Sequence, residues 1–426
     1  MQAQKVQTQK LDVAGMAVAA ATHRDTASTA SARSVAGAGI RVEIFDSMAP
    51  LEAEWRALEQ DDLASLHQSY DWCTAWTETF RHPLAIVHGS FNGRTAFILP
   101  LEIIRTQGVR RAEFIGTRHS NINTGLFSAE YLETADNVLS ASQQAEIAQA
   151  LRGKADLMVL RNVPLDWRGR ESPLASMPAV ENQNHAFQLP FLGTFEATLK
   201  QVNAKRRRKK FKHQTRILNE KGGYEYVIAA PDQRDTLLDL FFRQKAVRFE
   251  TAGLPDVFHD APTQTALHRL LALRDDGQSY AALEMHALRL KGEHEGHIPA
   301  VAALSRKSDH VICQFASIDE ALVPEASPGE LLFWLMIERL HREGVALFDF
   351  GIGDQGYKRS WCPMETTQHD LILPISRIGH MAAFAQRGVT RAKTAIKANP
   401  RLYGFIQRLR ARQGGSDASA EEAEKD

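Results

Sequence analysis

The sequence predicts an α/β (α+β) fold in which mixed, largely antiparallel sheets are flanked by helices. Three consecutive segments with strand-like patterns, 280–291, 298–306 and 310–318, are separated by short turns and predict an antiparallel meander. An apolar helix at 328–343 follows, and a strand at 345–350 comes directly after it. Strands that mix with helices in this way are typical of a sheet covered by helices.

The first half of the ordered chain has a similar pattern. Alternating residues at 40–45 predict a strand, and apolar spacing predicts helices at 50–58 and 70–80. Further strands are predicted at 85–88 and 96–104, because an Asn-Gly turn separates two apolar runs there. This half is therefore expected to form an α/β or α+β unit of its own.

Composition divides the chain into five regions. Residues 1–39 are rich in Ala, Thr, Ser and Gln without any period, which is typical of disorder. A stretch with Pro, Gly and Ser at 168–184 marks a domain boundary. The predicted regions are a disordered leader at 1–39, an N-terminal domain at 40–184, a C-terminal domain at 185–377, a basic helical extension at 378–412 and an acidic disordered tail at 413–426.

Charge and cysteine content exclude several classes of protein. Lys+Arg and Asp+Glu are equal at 51 each, so net charge does not predict a polyanion-binding protein. The cysteines are Cys73, Cys313 and Cys362, whose wide separation argues against a disulfide scaffold or a structural zinc site. No H-E-x-x-H pattern is present, and we expect no metal. A reducing compartment and a cytoplasmic location, including the inner face of the membrane, are expected.

The first chemical motif is Ser-Pro-Gly-Glu at the start of the predicted helix 328–343. Ser327 is placed to cap the helix, Pro328 suits its first turn, and Gly329 keeps side chains away from the helix start. The free N–H groups and the dipole then form an anion site that suits a pyrophosphate. Ser327, Gly329 and Glu330 are the candidates for cofactor binding, and simple helix capping is the alternative.

The second motif is a glycine-rich loop after a strand. Asp349 lies inside an apolar strand, where an unpaired carboxylate would be costly. Gly351 and Gly353 allow the backbone to approach a ligand closely, and Tyr357 and Lys358 bring a phenol and an amine to the same loop. The alternative is a structural turn capped by Asp349. The further candidates for substrate binding in this segment are Asp354 and Trp361.

The third motif is a dense basic run between residues 200 and 216. It contains nine Lys and Arg residues and no acid, and seven of the nine lie within eight positions. Some of these side chains must therefore point inward or onto a ligand, such as the phosphates of RNA, of a cofactor or of a membrane. A solvated helix face is the alternative. The candidates for phosphate contact are Arg206, Arg207 and Lys210.

Taken together, these motifs resemble a known family. The pattern from Ser327 to Trp361, with its Gly-x-Gly-Asp-x-x-Tyr-Lys core, is similar to the CelD-like (BioF-like) acetyltransferase branch of the GNAT superfamily, which is related to Fem-type aminoacyl transferases. The resemblance covers roughly residues 40–375. In the first half it is carried by His67-Gln68-Ser69-Tyr70-Asp71-Trp72, Leu99-Pro100-Leu101 and Phe114-Ile115-Gly116.

The resemblance implies two tandem GNAT-like domains and the transfer of an acyl group from acetyl-CoA or another acyl-CoA to an amine or hydroxyl. It also implies a small-molecule or saccharide acceptor and a link to exopolysaccharide or cell-envelope synthesis. We expect Asp349 to position the acceptor or act as general base, and Tyr357 to act as general acid or to stabilise the oxyanion. Lys358 is expected to pair with a phosphate or with Asp349.

Three alternatives stay open at this stage. The donor could be an acyl carrier protein or an aminoacyl-tRNA, because the usual glycine-rich pyrophosphate loop is reduced to one glycine before the helix. In a tRNA-dependent enzyme the basic run would bind RNA. A non-catalytic scaffold in envelope synthesis would use the basic extension 378–412 on an anionic membrane surface or a protein partner.

Overall fold

The computed structural model describes residues 39–133, 137–273, 280–319 and 321–398. The predicted leader (apart from residue 39), the acidic tail and the end of the basic extension lie outside these residues. The described helices are α1 (Glu52–Leu58), α2 (Tyr70–Phe80), α3 (Ala129–Leu132), α4 (Ala141–Ala150), α5 (Phe195–Lys200), α6 (Ala204–Glu220), α7 (Arg234–Ala252), α8 (Ala261–Ala272), α9 (Pro328–Arg342), α10 (Gly356–Trp361) and α11 (Arg377–Ala398).

The described strands are shorter on average than the helices, and they form four sheets. They are β1 (Arg41–Phe45), β2 (Ile86–Phe91), β3 (Arg94–Leu99), β4 (Leu101–Thr106), β5 (Val109–Phe114), β6 (Leu126–Phe127), β7 (Leu157–Val163), β8 (Asp166–Trp167), β9 (Arg170–Glu171), β10 (Ala179–Glu181), β11 (Ala186–Pro190), β12 (Tyr224–Ile228), β13 (Tyr280–Leu290), β14 (Ala300–Lys307), β15 (His310–Ile318), β16 (Leu347–Ile352), β17 (Met364–Thr366) and β18 (His369–Pro374).

The predicted α/β (α+β) class is confirmed. The first half contains a sheet with the order β1-β2-β3-β6, and a second sheet has the order β10-β18-β7-β5-β4. The largest sheet has the order β12-β13-β14-β15-β16-β11-β17. Its strands β13, β14 and β15 pair antiparallel as the predicted meander, whereas β15 pairs with β16 in parallel.

The predicted strand 96–104 is in fact two strands that belong to different sheets. The strands β3 and β4 are separated by Pro100, which has no N–H to donate to a ladder. The helical segment between residues 195 and 220 is likewise interrupted. It becomes α5 and α6 because Asn203 adopts a left-handed conformation, with φ of 60°, and its side chain caps α6 by accepting a hydrogen bond from the Arg206 N–H.

Helix α9 behaves largely as its sequence predicts. Pro328 occupies the first turn, and the helix stops before Gly344, whose φ of 76° is easily reached only by glycine. One face of the helix packs into the core of the second half. That core buries Leu331, Leu332, Met336, Ile337 and Leu340 of α9 together with Phe348 of β16 and Leu288 of β13.

The chain returns to the first half near its C-terminus. Strand β18 lies between β7 and β10, so a segment that follows the site motifs completes a sheet built mainly from residues before 185. Helix α11 then packs on this sheet. The domain boundary placed at 184/185 stays a prediction. Within the described residues, no helix combines the length and hydropathy that a bilayer-spanning segment needs.

Candidate functional site

The central feature of the largest sheet is a gap between two parallel strands. Strands β15 and β16 are paired from His310↔Leu347 to Ile312↔Asp349. Beyond these pairs β15 continues to Ile318 and β16 to Ile352 without further pairing between them. Their facing backbone groups are therefore not used by the ladder. At the end of β16 side chains bind them instead, because the Ile352 N–H donates to Asn121 and the Ile352 carbonyl accepts from Lys358.

A cavity of about 230 Å³ occupies this gap, and we call it the first cavity. One wall is the end of β15, another is the end of β16, and the N-terminus of α9 closes a third side. The side chains that matter most for its chemistry are contributed by Asn121, Lys245, Arg248, Cys313, Gln314, Glu330, Tyr357 and Lys358.

Two of these lining residues connect the two halves of the protein. Asn121 Nδ2 donates to Gln314 Oε1 at 2.9 Å, and Asn121 Oδ1 accepts from the Ile352 N–H at 3.2 Å. Gln314 Nε2 lies 3.1 Å from Nε2 of His67, which is fully buried. Burial lowers the pKa of His67 to about 4, so its ring is neutral and Nε2 can accept this hydrogen bond.

Tyr357 lies where a proton donor is expected. Its ring stacks on Phe333 with centroids 5.4 Å apart and also contacts Phe350. Burial raises the pKa of Tyr357, so the phenol stays protonated at neutral pH. Among the described residues its hydroxyl has no hydrogen-bond partner, and the residue lines the first cavity.

Lys358 also lines the cavity, but its ammonium group is bound to the backbone. Nζ donates to the Ile352 carbonyl at 2.5 Å and lies 3.4 Å from the Gly351 carbonyl, and the side chain is buried. These contacts fix the end of β16 against α10. The predicted pairing of Lys358 with a phosphate or with Asp349 stays a prediction.

Asp349 does not face the first cavity. It lies on the opposite face of β16 from Phe350 and Ile352 and is fully buried. Its Oδ1 accepts from the Gly351 N–H at 2.7 Å, and its Oδ2 accepts from Gln188 Nε2 at 2.9 Å. The carboxylate therefore holds the turn after β16, which corresponds to the structural alternative given for this residue.

Ser327 occupies the predicted N-cap position of α9, but its side chain does not cap the helix. Ser327 has φ of 44° in the left-handed region, and its side chain makes no capping hydrogen bond. Instead, its carbonyl accepts from Gln214 Nε2 at 3.2 Å. Gly329, in contrast, lies on the cavity wall, where a Cβ atom would come within 2.7 Å of Ile318 Cγ2. The absence of a side chain at 329 therefore keeps the entrance to the gap open.

Glu330 occupies the N-terminal turn of α9 with its carboxylate paired to the basic helix α6. Lys210 Nζ lies 2.7 Å from Glu330 Oε2, and Arg207 Nη1 lies 3.5 Å from the same oxygen. Glu330 also lines the first cavity. A negative side chain thus stands where an anion was predicted to bind, and it complements the helix dipole itself.

Arg207 and Trp361 form a buried pair rather than an open ligand site. The Arg207 guanidinium lies 3.6 Å from the centre of the Trp361 ring, and its Nη2 donates to Ser360 Oγ at 2.8 Å. Burial lowers the pKa of Arg207. The expectation that some cations of the basic run point inward is met by Arg207, whereas Arg206 is exposed.

The other candidate residues of the loop after β16, which are Gly351, Gly353 and Asp354, lie outside the first cavity. Gly351 has φ of 73°, and a Cβ atom there would lie 2.5 Å from Asn121 Oδ1. Gly353 has φ of 101°, and its N–H donates to the His185 carbonyl at 3.0 Å. Asp354 is exposed and forms an ion pair with Arg359.

A second cavity of about 530 Å³ shares Ile352 with the first. Its lining includes buried carboxylates and several amide side chains. Glu102 accepts hydrogen bonds from His82 Nδ1 at 2.6 Å and from the Gly116 N–H at 2.9 Å. Thr117, which is 7% exposed, has no partner for its hydroxyl. The amides on this lining are Asn162, Asn182, Gln183 and Asn184.

Sequence reasoning did not find several residues of the first cavity. Asn121 and Gln314 belong to no motif and are 193 positions apart, so only the fold brings them together. Lys245, buried on α7, and Arg248, exposed one turn later, also line this cavity. Lys245 and Arg248 are three positions apart on a helix, so they lie on the same face. This spacing is the sequence signal that could have identified the two residues.

The described residues contain no cluster of three or more His, Cys, Asp or Glu side chains that could hold a metal ion. Cys73, Cys313 and Cys362 are all buried and unpaired. Burial raises the pKa of Cys313 to about 12, so this thiol stays protonated on the wall of the first cavity.

Residues 205–359 match a protein-family model described as an acetyltransferase (GNAT) domain. The matched segment contains the meander, the gap between β15 and β16, helix α9 and the loop with Tyr357. The chain therefore carries a GNAT-type transferase domain, and the coarse part of the family resemblance is confirmed.

Solved structures show the same fold over most of the chain. The crystal structure of FemX matches with a TM-score of 0.53 and 13% identity, over 76% of this chain and 96% of that chain. A conserved protein of unknown function from Bacteroides thetaiotaomicron matches with a TM-score of 0.51 and 14% identity, over 78% of this chain and 99% of that chain. No curated protein sequence matches significantly.

Proposed function

We propose that this protein is an acyl-CoA-dependent N- or O-acyltransferase, and specifically an acetyltransferase, with its donor in the first cavity. The observation that carries the proposal is the gap between β15 and β16, which lies beside the N-terminus of α9. The unpaired edge of β15 beyond Ile312 offers N–H and C=O groups at regular spacing to an extended arm that contains amides, as the pantetheine arm of CoA does.

The donor phosphates would lie outside the gap, near the start of α9. The backbone N–H of Gly329 and the helix dipole favour an anion there, whereas the Glu330 N–H already donates to the Ser327 carbonyl at 3.1 Å. Lys210 would exchange its bond with Glu330 for a phosphate, and the exposed Arg206 and Arg248 would add long-range attraction. Ser327 contributes the left-handed turn that aims the helix start.

Transfer follows from the positions of the cavity side chains. The acceptor nitrogen or oxygen attacks the thioester carbonyl, the new C–N or C–O bond forms, and the C–S bond breaks. Tyr357, protonated at neutral pH, gives its proton to the leaving thiolate and is reprotonated by the proton released from the acceptor. Asp349, Gly351 and Lys358 act as positioning residues that fix the end of β16.

The acceptor would bind in the second cavity and reach the thioester past Ile352. Amides, buried carboxylates and the unpartnered Thr117 hydroxyl suit a small polar molecule or a saccharide with several hydroxyl groups. An acceptor from exopolysaccharide or cell-envelope synthesis is consistent with this lining. Asp354 and the Arg207–Trp361 pair would affect the acceptor indirectly, through the loop and α10.

A second candidate is transfer from an aminoacyl-tRNA. The observation in its favour is Glu330, which already neutralises the anion site that a pyrophosphate would use. Several cations of the basic run are exposed on α6 and could contact RNA phosphates, namely Lys205, Arg206, Lys209 and Lys212. This function predicts RNA binding that weakens steeply with salt.

Calorimetric titration with acetyl-CoA and with free CoA, at two salt concentrations, tests the proposal. We expect micromolar binding that is lost in Gly329→Val, because the new side chain would enter the gap, and retained in Gly193→Val, where the space is open. A Tyr357→Phe variant should bind acetyl-CoA normally and lose turnover. Absence of binding to both ligands, with salt-sensitive tRNA binding instead, would overturn the acyl-CoA donor.

A further inference from the structure

Helix α11 has an outward face that is apolar and solvent-exposed. Phe384 is 82% exposed, Met381 75%, Ile378 58% and Val389 51%. These residues recur at the spacing of one helical face. The exposed positions between and beside them are the small residues Ala385, Gly388 and Ala392 and the polar or charged residues Arg377, His380 and Arg391. An apolar stripe of this length on a folded surface marks a site of interaction.

The opposite face fixes the helix to the protein. Ala383 and Thr390 are buried, and Arg387 Nη2 donates to the Ile372 carbonyl at 2.9 Å. Gly379 approaches the sheet so closely that a Cβ atom would contact the Asp156 carbonyl oxygen. The outward stripe is therefore presented by a helix that is held in place through its inner face.

The charged side chains of α11 and of the sequence after it have a single sign. Between Asp370 and Asp417 the sequence contains no Asp or Glu, and Arg377, Arg391 and Lys393 lie on α11 itself. The sequence that continues beyond the described residues adds Arg401, Arg408, Arg410 and Arg412 without any acid up to Arg412. A surface that binds here must therefore accept apolar side chains and carry negative charge.

We propose that α11 binds the surface of an anionic lipid bilayer, with its axis parallel to the membrane. Its apolar side chains would enter the boundary between headgroups and acyl chains, while the flanking cations would contact anionic headgroups. A folded protein partner would match the apolar stripe equally well but would need an acidic rim for the cations. The bilayer supplies both features over the whole length of the helix.

The binding would place the second cavity close to the membrane. Gln386, Val389, Thr390 and Lys393 of α11 line this cavity, so its entrance lies along the edge of the same helix. A molecule held at the headgroup level could reach the cavity without leaving the membrane surface. The membrane proposal itself does not depend on the donor or on the acyltransferase function.

Co-sedimentation of the full chain with vesicles tests the proposal. Vesicles of phosphatidylcholine with phosphatidylglycerol, at about 3:1, should bind the protein, whereas phosphatidylcholine alone should bind it weakly. The double variant Met381→Glu/Phe384→Glu should reduce binding about tenfold or more, because it places charge on the face that enters the bilayer. Circular dichroism verifies that the variant remains folded.

The matched control is Val247→Glu, which places the same charge on another exposed apolar side chain (64% exposed) outside α11. It should bind vesicles like the unmodified protein. Arg377→Gln/Arg391→Gln should retain the apolar contact but lose the preference for the anionic lipid. Failure of the unmodified protein to bind anionic vesicles would overturn the proposal, as would a dimer in solution that Met381→Glu/Phe384→Glu converts to a monomer.

Discussion

Asn121 donates a hydrogen bond from Nδ2 to Gln314 Oε1 at 2.9 Å, across the boundary between the two halves of the protein. Both residues line the first cavity, and Asn121 also accepts a hydrogen bond from the Ile352 N–H. The GNAT-type segment 205–359 therefore does not complete its own cavity, because one side chain on the wall comes from residue 121. This contact makes the first half part of the proposed site.

An Asn121→Ala substitution is expected to lower turnover more than donor affinity. It removes both hydrogen bonds and leaves the Gln314 side chain held by His67 alone. A misplaced group near the reacting atoms costs about tenfold to a hundredfold in rate. The unpaired polar groups should also lower the free energy of unfolding by about 1–3 kcal/mol. Steady-state kinetics, calorimetry and urea unfolding measure the three effects.

The control for Asn121→Ala is Asn219→Ala, which changes an exposed asparagine on α6. This variant should keep normal turnover and stability. Equal turnover in the two variants would show that the contact between the halves has no part in the reaction.

A Gly351→Ala substitution is expected to be destabilising because of both conformation and contact. Gly351 has φ of 73°, which costs an L-residue about 1 kcal/mol, and its new Cβ atom would also lie 2.5 Å from Asn121 Oδ1. We expect a loss of about 2–4 kcal/mol in the free energy of unfolding. Urea unfolding measures it.

Gly93→Ala provides a matched control for this substitution. Gly93 has a similar φ of 75°, but its Cβ position is open to solvent. The difference between the two variants isolates the contact with Asn121. If both variants lose the same stability, backbone strain alone explains the effect and the close approach to Asn121 has no energetic role.

A Glu330→Gln substitution is expected to strengthen donor binding. It removes the carboxylate that pairs with Lys210 and Arg207, so the helix start and the partly exposed Lys210 become available to phosphate groups. We expect the Kd for CoA to fall about threefold to tenfold, and its dependence on salt to become steeper. Calorimetry at two ionic strengths measures both changes.

Glu325→Gln is the control for Glu330→Gln, since Glu325 pairs with Lys221 just before the same helix and lines neither cavity described above. It should leave the Kd for CoA nearly unchanged. A weaker affinity in Glu330→Gln would mean that the carboxylate supports donor binding and that the phosphates lie elsewhere.

Local patterns predicted much of the fold. The meander of β13, β14 and β15 follows from apolar runs separated by short turns, and α9 follows from Pro328 and Gly344 at its ends. Those signals lie within a few residues of the elements that they specify. The position of β18 in the first-half sheet could not be predicted, because its pairing with β7 joins segments about 200 residues apart.

The candidate site was predicted in part. Gly329, Glu330, Tyr357 and Lys358 were identified by motif, and all four line the first cavity. Asp349 lies outside the first cavity, because strand alternation places it on the opposite face from Phe350 and Ile352, and its role in acceptor positioning or as general base stays a prediction. No local pattern marks the tertiary contact between Asn121 and Gln314.

A His67→Gln substitution is expected to change how stability depends on pH. Burial lowers the pKa of His67 to about 4, well below the ordinary value of 6.5 that applies to the unfolded chain. Between these values the unfolded state binds a proton that the folded state does not. The contribution of the neutral ring to stability is therefore complete above about pH 6.5 and is lost as the pH falls toward 4.

The size of the effect follows from the same two pKa values. One proton corresponds to about 1.4 kcal/mol per pH unit, or about 3 kcal/mol over the whole interval. The hydrogen bond to Glu102 raises the pKa of His82, so the contribution of His82 to the pH dependence of stability has the opposite sign. This contribution is the same in the unmodified protein and in His67→Gln. Urea unfolding at pH 7.5, 6 and about 5 should therefore show a shallower loss of stability in His67→Gln. Parallel curves for the two proteins would mean that His67 titrates normally and that its ring does not accept a hydrogen bond from Gln314 in the neutral form.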